Sequence, residues 1–322
     1  MTKRTDLIIS LTGGLGNQLF QLAAGLAMAK DKNLYLCSAF GAPRKSANGE
    51  IELLSFSIPK EINVLKEKQS SLLTRKIAGY ILRIGVSPNA FESYKYFSRI
   101  VRSIASLPIS FFLRRKVSVV NSIGVGYYPI AIKKKVTLIF GYFQTYRWAS
   151  DSRVKQIMQK ISLSDESIEI SDYVKLSFQE NPIIVHIRLG DYLSEKSFGI
   201  PSRNYYKESI MRILESGKCK SIWLFSDQLQ LAKTFLPEDL TIPIRVIDKF
   251  QNSPAATLEI MRMGAGYVIA NSTFSWWAAF LRKNEEAEVI APTPWFSEMP
   301  EPVDLIPINW QRVNSGFASS YQ

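Results

Sequence analysis

The stretch SLTGGLGNQLFQLAAGLAMAK, residues 10–30, connects an apolar run to a helical pattern through a loop with three glycines. The apolar residues at 7–11 are typical of a buried strand that ends at Gly13. From Gln18 onward, apolar residues recur at the spacing of one helix face. A further apolar segment ends at Cys37. The chain therefore opens with a predicted β-loop-α-β unit, which is a building block of α/β folds.

The glycine loop has two interpretations. Backbone N–H groups at the start of a helix attract phosphate or another anion, and Gly14 and Gly16 would let a ligand approach them closely. The alternative is a tight turn that serves only packing. A dinucleotide-binding fingerprint would need a third glycine where this chain has Leu19, which argues against a nucleotide-dependent oxidoreductase.

Length and composition indicate a globular chain with room for two domains. It has 322 residues, enough for two separate hydrophobic cores. No signal-peptide pattern precedes the first strand, and no apolar run reaches the ~18 residues of a membrane span. The two cysteines, Cys37 and Cys219, do not suggest a disulfide framework. We therefore expect a cytoplasmic protein in a reducing compartment.

The net charge of +12 is concentrated in one region. Residues 60–135 carry fifteen Lys or Arg against three Glu, whereas the rest of the chain carries 25 charges of each sign. Aromatic residues are interspersed with these basic residues. Two interpretations are a solvated basic face and peripheral contact with an anionic membrane surface or a phosphate-bearing acceptor. No helix-turn-helix, zinc-finger or RNA-binding signature supports a nucleic-acid partner.

The second half alternates five apolar strand patterns with four helical patterns, which predicts a doubly wound parallel sheet. The predicted strands are 183–187, 222–225, 244–247, 267–270 and 289–291, and the predicted helices are 205–215, 228–235, 255–263 and 274–282. We expect two Rossmann-like α/β domains facing a cleft. Their predicted ranges are 1–165, with the basic region 60–135 as an insert, and 166–322.

Polar residues cluster at the ends of four of these predicted strands. The clusters are VHIRLGDY at 185–192, LFSDQ at 224–228, IDKF at 247–250 and IANSTFSWW at 269–277. Ligands of open α/β sheets bind outside the carboxyl ends of the strands. Four polar clusters at successive strand ends therefore predict a ligand site.

Arg188 is the first candidate for an essential group, because a guanidinium can bind a phosphate through two parallel hydrogen bonds. The alternative is a structural salt bridge with Asp191. Asp191 could instead orient Arg188 or accept a proton. His186, the one histidine of the chain, alternates with Arg188, so both side chains could lie on the same face of the strand.

The helix that follows the fourth cluster begins with an unusual number of hydroxyl groups. Asn271, Ser272, Thr273 and Ser275 would place side-chain hydroxyls and free N–H groups near phosphate oxygens. Ordinary capping explains one such residue but hardly all four. The following Trp276 and Trp277 are predicted to lie in the core or in a pocket wall.

No metal site is predicted. The chain lacks an Asp-x-Asp motif, which holds the metal of a nucleotide diphosphate in one class of sugar transferases. It also lacks H-E-x-x-H, Walker A, G-x-S-x-G and paired Cys-x-x-Cys motifs. Arg188 and the helix start would then have to stabilise a diphosphate leaving group alone, which preorganised donors in a dry site can do.

In combination, these motifs resemble those of the α-1,2-fucosyltransferase family, especially its bacterial members. The matching segments are GGLGNQLFQLAAGLA at 13–27, GYFQTYRW at 141–148, HIRLGDY at 186–192, FSD at 225–227, IANSTFSWWAAFL at 269–281 and PTPWF at 292–296. The glycine loop and the H-x-R element are more distantly similar to protein O-fucosyltransferases and core α-1,6 enzymes. The resemblance implies a GT-B fold, a GDP-β-L-fucose donor, no metal or other cofactor, and inversion at the sugar carbon.

The resemblance also implies roles for individual residues. Arg188 would hold the diphosphate, and His186 would lie near the nucleotide. Asn17 would lie near the fucose and the reacting centre, so the glycine loop would serve the sugar and acceptor side of the cleft. Asp227 and Glu259 are assigned to donor binding, together with the residues of the glycine loop and of the helix start. Asp191, Glu195 or His186 could accept the proton of the acceptor hydroxyl, and the sequence does not decide among them.

Three positions depart from the family pattern. Leu189 stands where the family usually has a second arginine, and Gln228 where it usually has a second aspartate. Thr257 replaces an acidic residue, with Glu259 two positions later. The sequence therefore predicts a fucosyltransferase that acts on a galactoside glycan, free or lipid-linked, during surface polysaccharide assembly. Alternatives are an α-1,3 linkage, another GDP-sugar donor, and a non-enzymatic basic binding protein.

Overall fold

The protein is described by a computed structural model over residues 6–30, 32–38, 43–46, 49–60, 62–65, 117–121, 125–127, 129–130, 136–164 and 168–317. It consists of two compact units, Met1–Ile161 with Pro302–Leu305 and Ser162–Glu301 with Ile306–Gln322. The division after Ile161 lies four residues before the predicted boundary. The sequence analysis did not predict that Pro302–Leu305 would belong to the first unit.

The first unit contains a five-stranded parallel sheet in the order β3-β2-β1-β5-β4. Its strands are β1 (Asp6–Ser10), β2 (Asn33–Cys37), β3 (Ile62–Leu65), β4 (Val117–Asn121) and β5 (Val136–Phe140), and its helices are α1 (Leu15–Ala29), α2 (Tyr146–Ala149) and α3 (Ser152–Lys160). The predicted opening β-loop-α-β unit is confirmed. Strands β3, β4 and β5 extend this sheet beyond the predicted unit.

Helix α1 packs closely on the sheet. A side chain at Gly25 would meet Leu34 and Ile9, with its Cβ 3.0 Å from the nearest Leu34 methyl carbon. Leu19, Phe20 and Leu22 are fully buried, as expected for a helix that is apolar on most of its surface. The helix begins at Leu15, three residues before the predicted start at Gln18.

The second unit contains a six-stranded parallel sheet in the order β11-β10-β9-β6-β7-β8. Its strands are β6 (Pro182–Ile187), β7 (Ser221–Ser226), β8 (Ile244–Val246), β9 (Gly266–Val268), β10 (Glu288–Thr293) and β11 (Gln311–Asn314), and its helices are α4 (Ile168–Glu180), α5 (Arg203–Leu214), α6 (Leu229–Lys233), α7 (Pro254–Met261) and α8 (Thr273–Phe280). All five predicted strands and four predicted helices are present. Strand β11 was missed because it is short, polar and mostly exposed at the sheet edge.

Strand β6 lies in the middle of this sheet and determines where a ligand can bind. The chain continues from β6 to β7 and β8 on one side, and then to β9, β10 and β11 on the other. The connections at the carboxyl ends of β6 and β9 therefore diverge, which is the position of the ligand crevice in open α/β sheets. Both units are thus α/β with parallel sheets, as the GT-B resemblance implies. The predicted cleft concerns their mutual arrangement and stays a prediction.

Side chains of β6 alternate between the two faces of the sheet. Ile183, Val185 and Ile187 join a core cluster that includes Tyr206 and Ile210 of α5. His186 and Arg188 belong to the opposite face. Most of the predicted basic insert lies outside the described residues, including Arg114, Arg115 and Lys116, so its membrane contact stays a prediction. No helix in the described ranges is both long enough and apolar enough to cross a bilayer.

Candidate active site

Arg188 is the centre of the polar residues that follow β6. Its Nη1 lies 2.9 Å from Oδ2 of Asp227, and its Nη2 lies 2.8 Å from Oδ1 of Asp191. Its Nε also donates to Oδ1 of Asp191, at 3.0 Å. The two carboxylates hold the guanidinium from two sides, and its side chain is 22% exposed. The sequence analysis treated a salt bridge with Asp191 as the alternative to a ligand role, whereas the geometry is compatible with both.

The remaining hydrogen-bonding capacity of Arg188 suits an anion. A guanidinium has five N–H donors, and the two aspartates use three of them. The two remaining N–H groups belong to the terminal nitrogens. Because the two carboxylates more than offset its single positive charge, Arg188 would bind an anion mainly through oriented hydrogen bonds. Fixed donors of this kind stabilise developing negative charge without reorganising during a reaction.

Asp227 is built into the loop that carries Arg188. Its Oδ1 accepts a hydrogen bond from the Leu189 N–H at 3.0 Å, while its Oδ2 pairs with Arg188. A Cβ at Gly190 would lie under 3.0 Å from Oδ2 of Asp227, a distance that real Cβ atoms essentially never show. A side chain at position 190 would therefore displace Asp227 from its contacts with Leu189 and Arg188. The structure gives Asp227 a role in orienting Arg188, which differs from the predicted direct contact with the donor.

The burial of Leu189 explains the first departure from the family pattern. Its side chain is fully buried and belongs to the core cluster on the face opposite Arg188. In this chain, the side chain at position 189 packs into the core and is not exposed to a ligand. Gln228 begins α6, and its N–H donates to the Ser226 hydroxyl at 3.0 Å.

His186 is buried beside this cluster. Its residue exposure is 5%, its ring centroid lies 5.9 Å from that of Phe274, and its Nδ1 has no hydrogen-bond partner within the described residues. Burial and, to a smaller extent, the neighbouring charge of Arg188 lower its pKa to about 4, while Asp227 opposes the shift. His186 is therefore neutral near pH 7.

At the start of α8, some polar groups are hydrogen-bonded within the chain and others could bind a ligand. The Ser272 hydroxyl accepts from the Phe274 N–H at 3.3 Å, and the Ser275 hydroxyl donates to backbone carbonyls. The Ser272 hydroxyl therefore caps the helix, and the Ser275 hydroxyl is used by the backbone just before it. The side chain of Thr273 and the N–H groups of Thr273 and Ser275 have no partner among the described residues, so these groups remain for a ligand.

Asn271 connects three loops rather than offering its amide nitrogen to a phosphate. Its Nδ2 lies 2.9 Å from the carbonyls of Phe198 and Gly199 and 3.0 Å from that of Trp295. Its own carbonyl accepts from the Tyr192 hydroxyl at 3.1 Å. Tyr192 thereby links the end of β9 to the loop of Arg188. The sequence analysis did not assign Tyr192 a role.

Glu259 and the predicted cluster IDKF lie apart from the Arg188 cluster. The Glu259 carboxylate pairs with Arg262 at 2.6 Å, and Arg262 donates to the Leu281 carbonyl just beyond the end of α8. The eight residues of α8 span about 12 Å, so this pair is near the end opposite Thr273. The cluster IDKF follows edge strand β8, and its Lys249 pairs with Glu169 at 2.8 Å. Neither joins the Arg188 cluster.

Two other predictions concern residues on either side of this cluster. Glu195 is exposed and accepts a hydrogen bond from the Ser197 hydroxyl at 2.8 Å. Trp276 and Trp277 are fully buried, which confirms the prediction that they belong to the core. The described residues contain no group of three or more His, Cys, Asp or Glu side chains that could hold a metal ion.

In the first unit, a carboxylate of the chain itself binds the glycine loop at the start of α1. The Leu15 N–H at the start of α1 donates to Oε2 of Glu52 at 2.6 Å, and the Glu52 side chain is buried. Gly14 lies beside this carboxylate, and Gly16 is buried in the first helical turn. An internal carboxylate at a helix start provides the stabilisation that a bound anion would otherwise give. Glu52 thus gives the helix start an internal partner, and the predicted ligand contacts of Gly14 and Gly16 stay a prediction.

The side chain of Asn17 lies above this loop. Gly13 has a φ of +73°, and a Cβ there would be 2.5 Å from Nδ2 of Asn17. Gln18 fixes the loop from below, because its Nε2 donates to the carbonyl of Gly13 at 2.9 Å and its Oε1 accepts from Leu53. Oδ1 of Asn17 accepts from Nε2 of Gln144 at 2.9 Å. Gln144 belongs to the quoted segment 141–148, but the sequence analysis gave it no role.

A comparison with known families follows from these features. Residues 137–314 match the family model described as glycosyl transferase family 11. The chain belongs to glycosyl transferase family 11. It is therefore a glycosyltransferase, and the resemblance found in the sequence is confirmed at the level of the family. The oxidoreductase and the non-enzymatic binding protein are both excluded.

Individual relatives of this family 11 chain are distant. It is 27% identical over 318 residues to an alpha-1,2-colitosyltransferase of Escherichia coli, covering 95% of this chain and 98% of that protein. It is 25% identical over 302 residues to the O-antigen biosynthesis glycosyltransferase WbnK of Escherichia coli, covering 89% and 94%. Among solved structures, the fucosyltransferase NodZ from Bradyrhizobium is similar with a TM-score of 0.45 and 15% identity, covering 87% of this chain and 94% of that one.

Proposed function

We propose that this family 11 enzyme transfers L-fucose from GDP-β-L-fucose, with inversion, to a galactose hydroxyl of a glycan, and that it forms an α-1,2 linkage. Family membership supports a sugar transferase, and the motifs quoted above support the fucose donor. The α-1,2 linkage is supported by the name of the colitosyltransferase relative. The name of WbnK supports a glycan acceptor in O-antigen biosynthesis.

The observation that carries the proposal is the fixed guanidinium of Arg188. It follows β6 directly, at the divergence of β6 and β9, and two aspartates orient it. Its two unused N–H groups and the available groups at Thr273 are suited to the oxygens of a diphosphate. A site of this composition would stabilise GDP as it leaves the sugar.

The reaction follows from this assignment. The acceptor hydroxyl attacks the anomeric carbon of fucose from the face opposite GDP, and the bond from that carbon to the diphosphate oxygen breaks. The hydroxyl proton passes to a base, for which Asp191, Glu195 and His186 are the candidates. The sugar has oxocarbenium character in the transition state, as in glycoside hydrolysis. Negative charge then grows on the diphosphate, where Arg188 donates. We expect no metal to be required, and activity should persist in excess chelator; a loss that added magnesium restores would contradict this expectation.

The colitosyltransferase relative raises a second donor for consideration. Colitose is fucose without one of its hydroxyl groups, so the two GDP-sugars differ by a single hydrogen-bonding group. A site that hydrogen-bonds a hydroxyl can reject the analogue that lacks it by about 10⁴-fold or more. The donor preference of this enzyme is therefore measurable with two closely matched substrates.

The test is a transfer assay with the full chain, lactose as the acceptor, and GDP-fucose, GDP-colitose or GDP-mannose as the donor. We expect fucosyl-lactose from GDP-fucose, with an α-1,2 bond to galactose in the NMR spectrum of the product. Transfer from GDP-colitose alone would replace the proposed donor. An α-1,3 product would replace the proposed linkage, and no transfer from any donor to lactose or N-acetyllactosamine would contradict the galactoside acceptor.

A further inference from the structure

Gln144 and Asn17 form a pair of amides above the glycine loop. We propose that Gln144 is a positioning residue, which holds the Asn17 amide so that its nitrogen donates a hydrogen bond to a sugar oxygen. The identity of that sugar as fucose or galactoside rests on the proposed function. The positioning of Asn17 by Gln144 rests only on the geometry of the first unit.

The hydrogen bond fixes which end of the Asn17 amide is available. Oδ1 of Asn17 accepts from Nε2 of Gln144 at 2.9 Å, so the oxygen is occupied. Nδ2 of Asn17 lies on the other side, above the Cα of Gly13, and has no acceptor within the described residues. Asn17 is partly exposed. The loop therefore presents an oriented amide donor to a ligand.

The charges beside the loop come from side chains of the chain itself, the Glu52 carboxylate and the Arg44 guanidinium, which would lie 3.8 Å and 3.5 Å from a Cβ at Gly14. The positive end of α1 is balanced by the buried carboxylate of Glu52, which accepts from Leu15 at 2.6 Å. The Asn17–Gln144 pair carries no charge. A donor without net positive charge suits the hydroxyl, ring or glycosidic oxygens of a sugar better than a phosphate.

The chain holds Gln144 rigidly on both sides. The preceding Phe143 is buried and has a φ of +53°, a conformation that a bulky side chain rarely adopts. The following Thr145 donates through its hydroxyl to the carbonyl of Asp304 at 2.7 Å, and Arg147 pairs with the Asp304 carboxylate at 2.7 Å. Strained residues of this kind are concentrated at functional sites. The side chain of Gln144 is buried, so it acts on a ligand through Asn17.

The polarity of the pair gives a sharp test. In Gln144→Met the side chain keeps its approximate size but no longer donates to Asn17. In Gln144→Glu a carboxylate accepts instead, so the Asn17 amide must turn and present its oxygen to the ligand. Gln21→Met is the matched control. Gln21 is a buried glutamine whose side chain, among the described residues, bonds only backbone groups, the Thr12 N–H and the Gly141 carbonyl.

The kinetic arm measures transfer from GDP-fucose to lactose in a double-mutant cycle with Asn17→Ala. We expect Gln144→Met to lower kcat/KM by about 10²-fold, as misplacement of an orienting group does. In the Asn17→Ala background it should cause no further loss, since it acts through Asn17. Gln144→Glu should be at least as damaging, and Gln21→Met should retain the activity of the folded enzyme. Independent, multiplicative effects of Gln144→Met and Asn17→Ala would overturn the proposal.

A second arm needs no substrate and separates this proposal from the proposed function. In protein labelled with ¹⁵N-asparagine, the side-chain signal of Asn17 is identified by its loss in Asn17→Ala. We expect this signal to shift in Gln144→Met and to be unchanged in Gln21→Met. An unchanged signal in Gln144→Met would contradict the claim that Gln144 positions the Asn17 amide. If the wild type does not use GDP-fucose, the proposed donor fails, and the NMR arm alone decides the role of Gln144.

Discussion

Arg188 and Asp227 pair at 2.9 Å because the sheet register places them side by side. In the parallel pairing of β6 and β7, His186 lies opposite Phe225 and Ile187 lies opposite Ser226. The next residue on each strand is the cation and its carboxylate. The two sequence motifs HIRLGDY and FSD are thus joined by strand pairing into one structural element.

The first prediction concerns this pair. In Asp227→Asn, the amide oxygen can still accept from Leu189, but its nitrogen can no longer accept from Arg188. We expect kcat to fall by about 10²-fold, because the guanidinium loses its fixed orientation. GDP affinity should change much less, since the lost carboxylate also repelled the diphosphate. The measurement is steady-state kinetics together with calorimetric titration of GDP. A kcat equal to that of the wild type would show that Asp227 does not orient Arg188.

The second prediction uses the single histidine of the chain. Burial and the charge of Arg188 lower the pKa of His186 to about 4, so its imidazole should remain neutral in an NMR titration from pH 8 to pH 5.5. No other histidine signal interferes. Titration of this signal near pH 6.5, the ordinary value for histidine, would contradict the buried position.

The lowered pKa of His186 makes the free energy of unfolding decrease as the pH falls. The unfolded chain protonates His186 near pH 6.5 and the folded chain only near pH 4, so protons favour unfolding between these values. The contribution is fully present above pH 6.5 and is lost as the pH falls toward 4. Between pH 7 and pH 5 the loss should be about 2 kcal/mol. Urea unfolding should detect it in the wild type and not in His186→Phe.

Much of the second unit could be predicted because its signals are local. Apolar runs such as 183–187 and 222–225 became β6 and β7, and polar residues at strand ends indicated the site. Parallel sheets buried on both faces produce such continuous runs. The first unit was harder to predict, since its strands β3, β4 and β5 are separated by long segments. Pairing across such separations leaves no periodic pattern in the sequence.

The partners of the polar residues could not be predicted. Glu52 accepts a hydrogen bond from Leu15 at the start of α1, 37 positions earlier in the chain. Gln144 donates to Asn17, 127 positions earlier. Asn271 matched a family motif, yet its amide nitrogen serves backbone carbonyls. A motif predicts that a side chain matters, whereas only the fold determines whether it contacts a ligand or orients a neighbour.

The third prediction concerns the buried pair of Glu259 and Arg262, whose side chains are 5% and 2% exposed. Glu259→Gln removes the carboxylate that neutralises the buried guanidinium of Arg262, so the free energy of unfolding should fall by about 3–5 kcal/mol. The control is Glu169→Gln, which removes an exposed pair with Lys249 and should lower the free energy of unfolding much less. A loss of GDP affinity with unchanged stability would instead support the donor contact implied by the family resemblance.

The central claim is that Arg188 stabilises the departing diphosphate of a GDP-sugar. The direct measurement is single-turnover transfer from saturating GDP-fucose to lactose by the wild type, Arg188→Lys and Arg188→Ala, each confirmed to be folded. We expect the alanine variant to slow the chemical step by about 10²–10³-fold. The lysine variant should recover only part of this rate, because an ammonium lacks the fork that fits between two aspartates and a phosphate. A folded Arg188→Ala enzyme that transfers fucose at the wild-type rate would contradict the account.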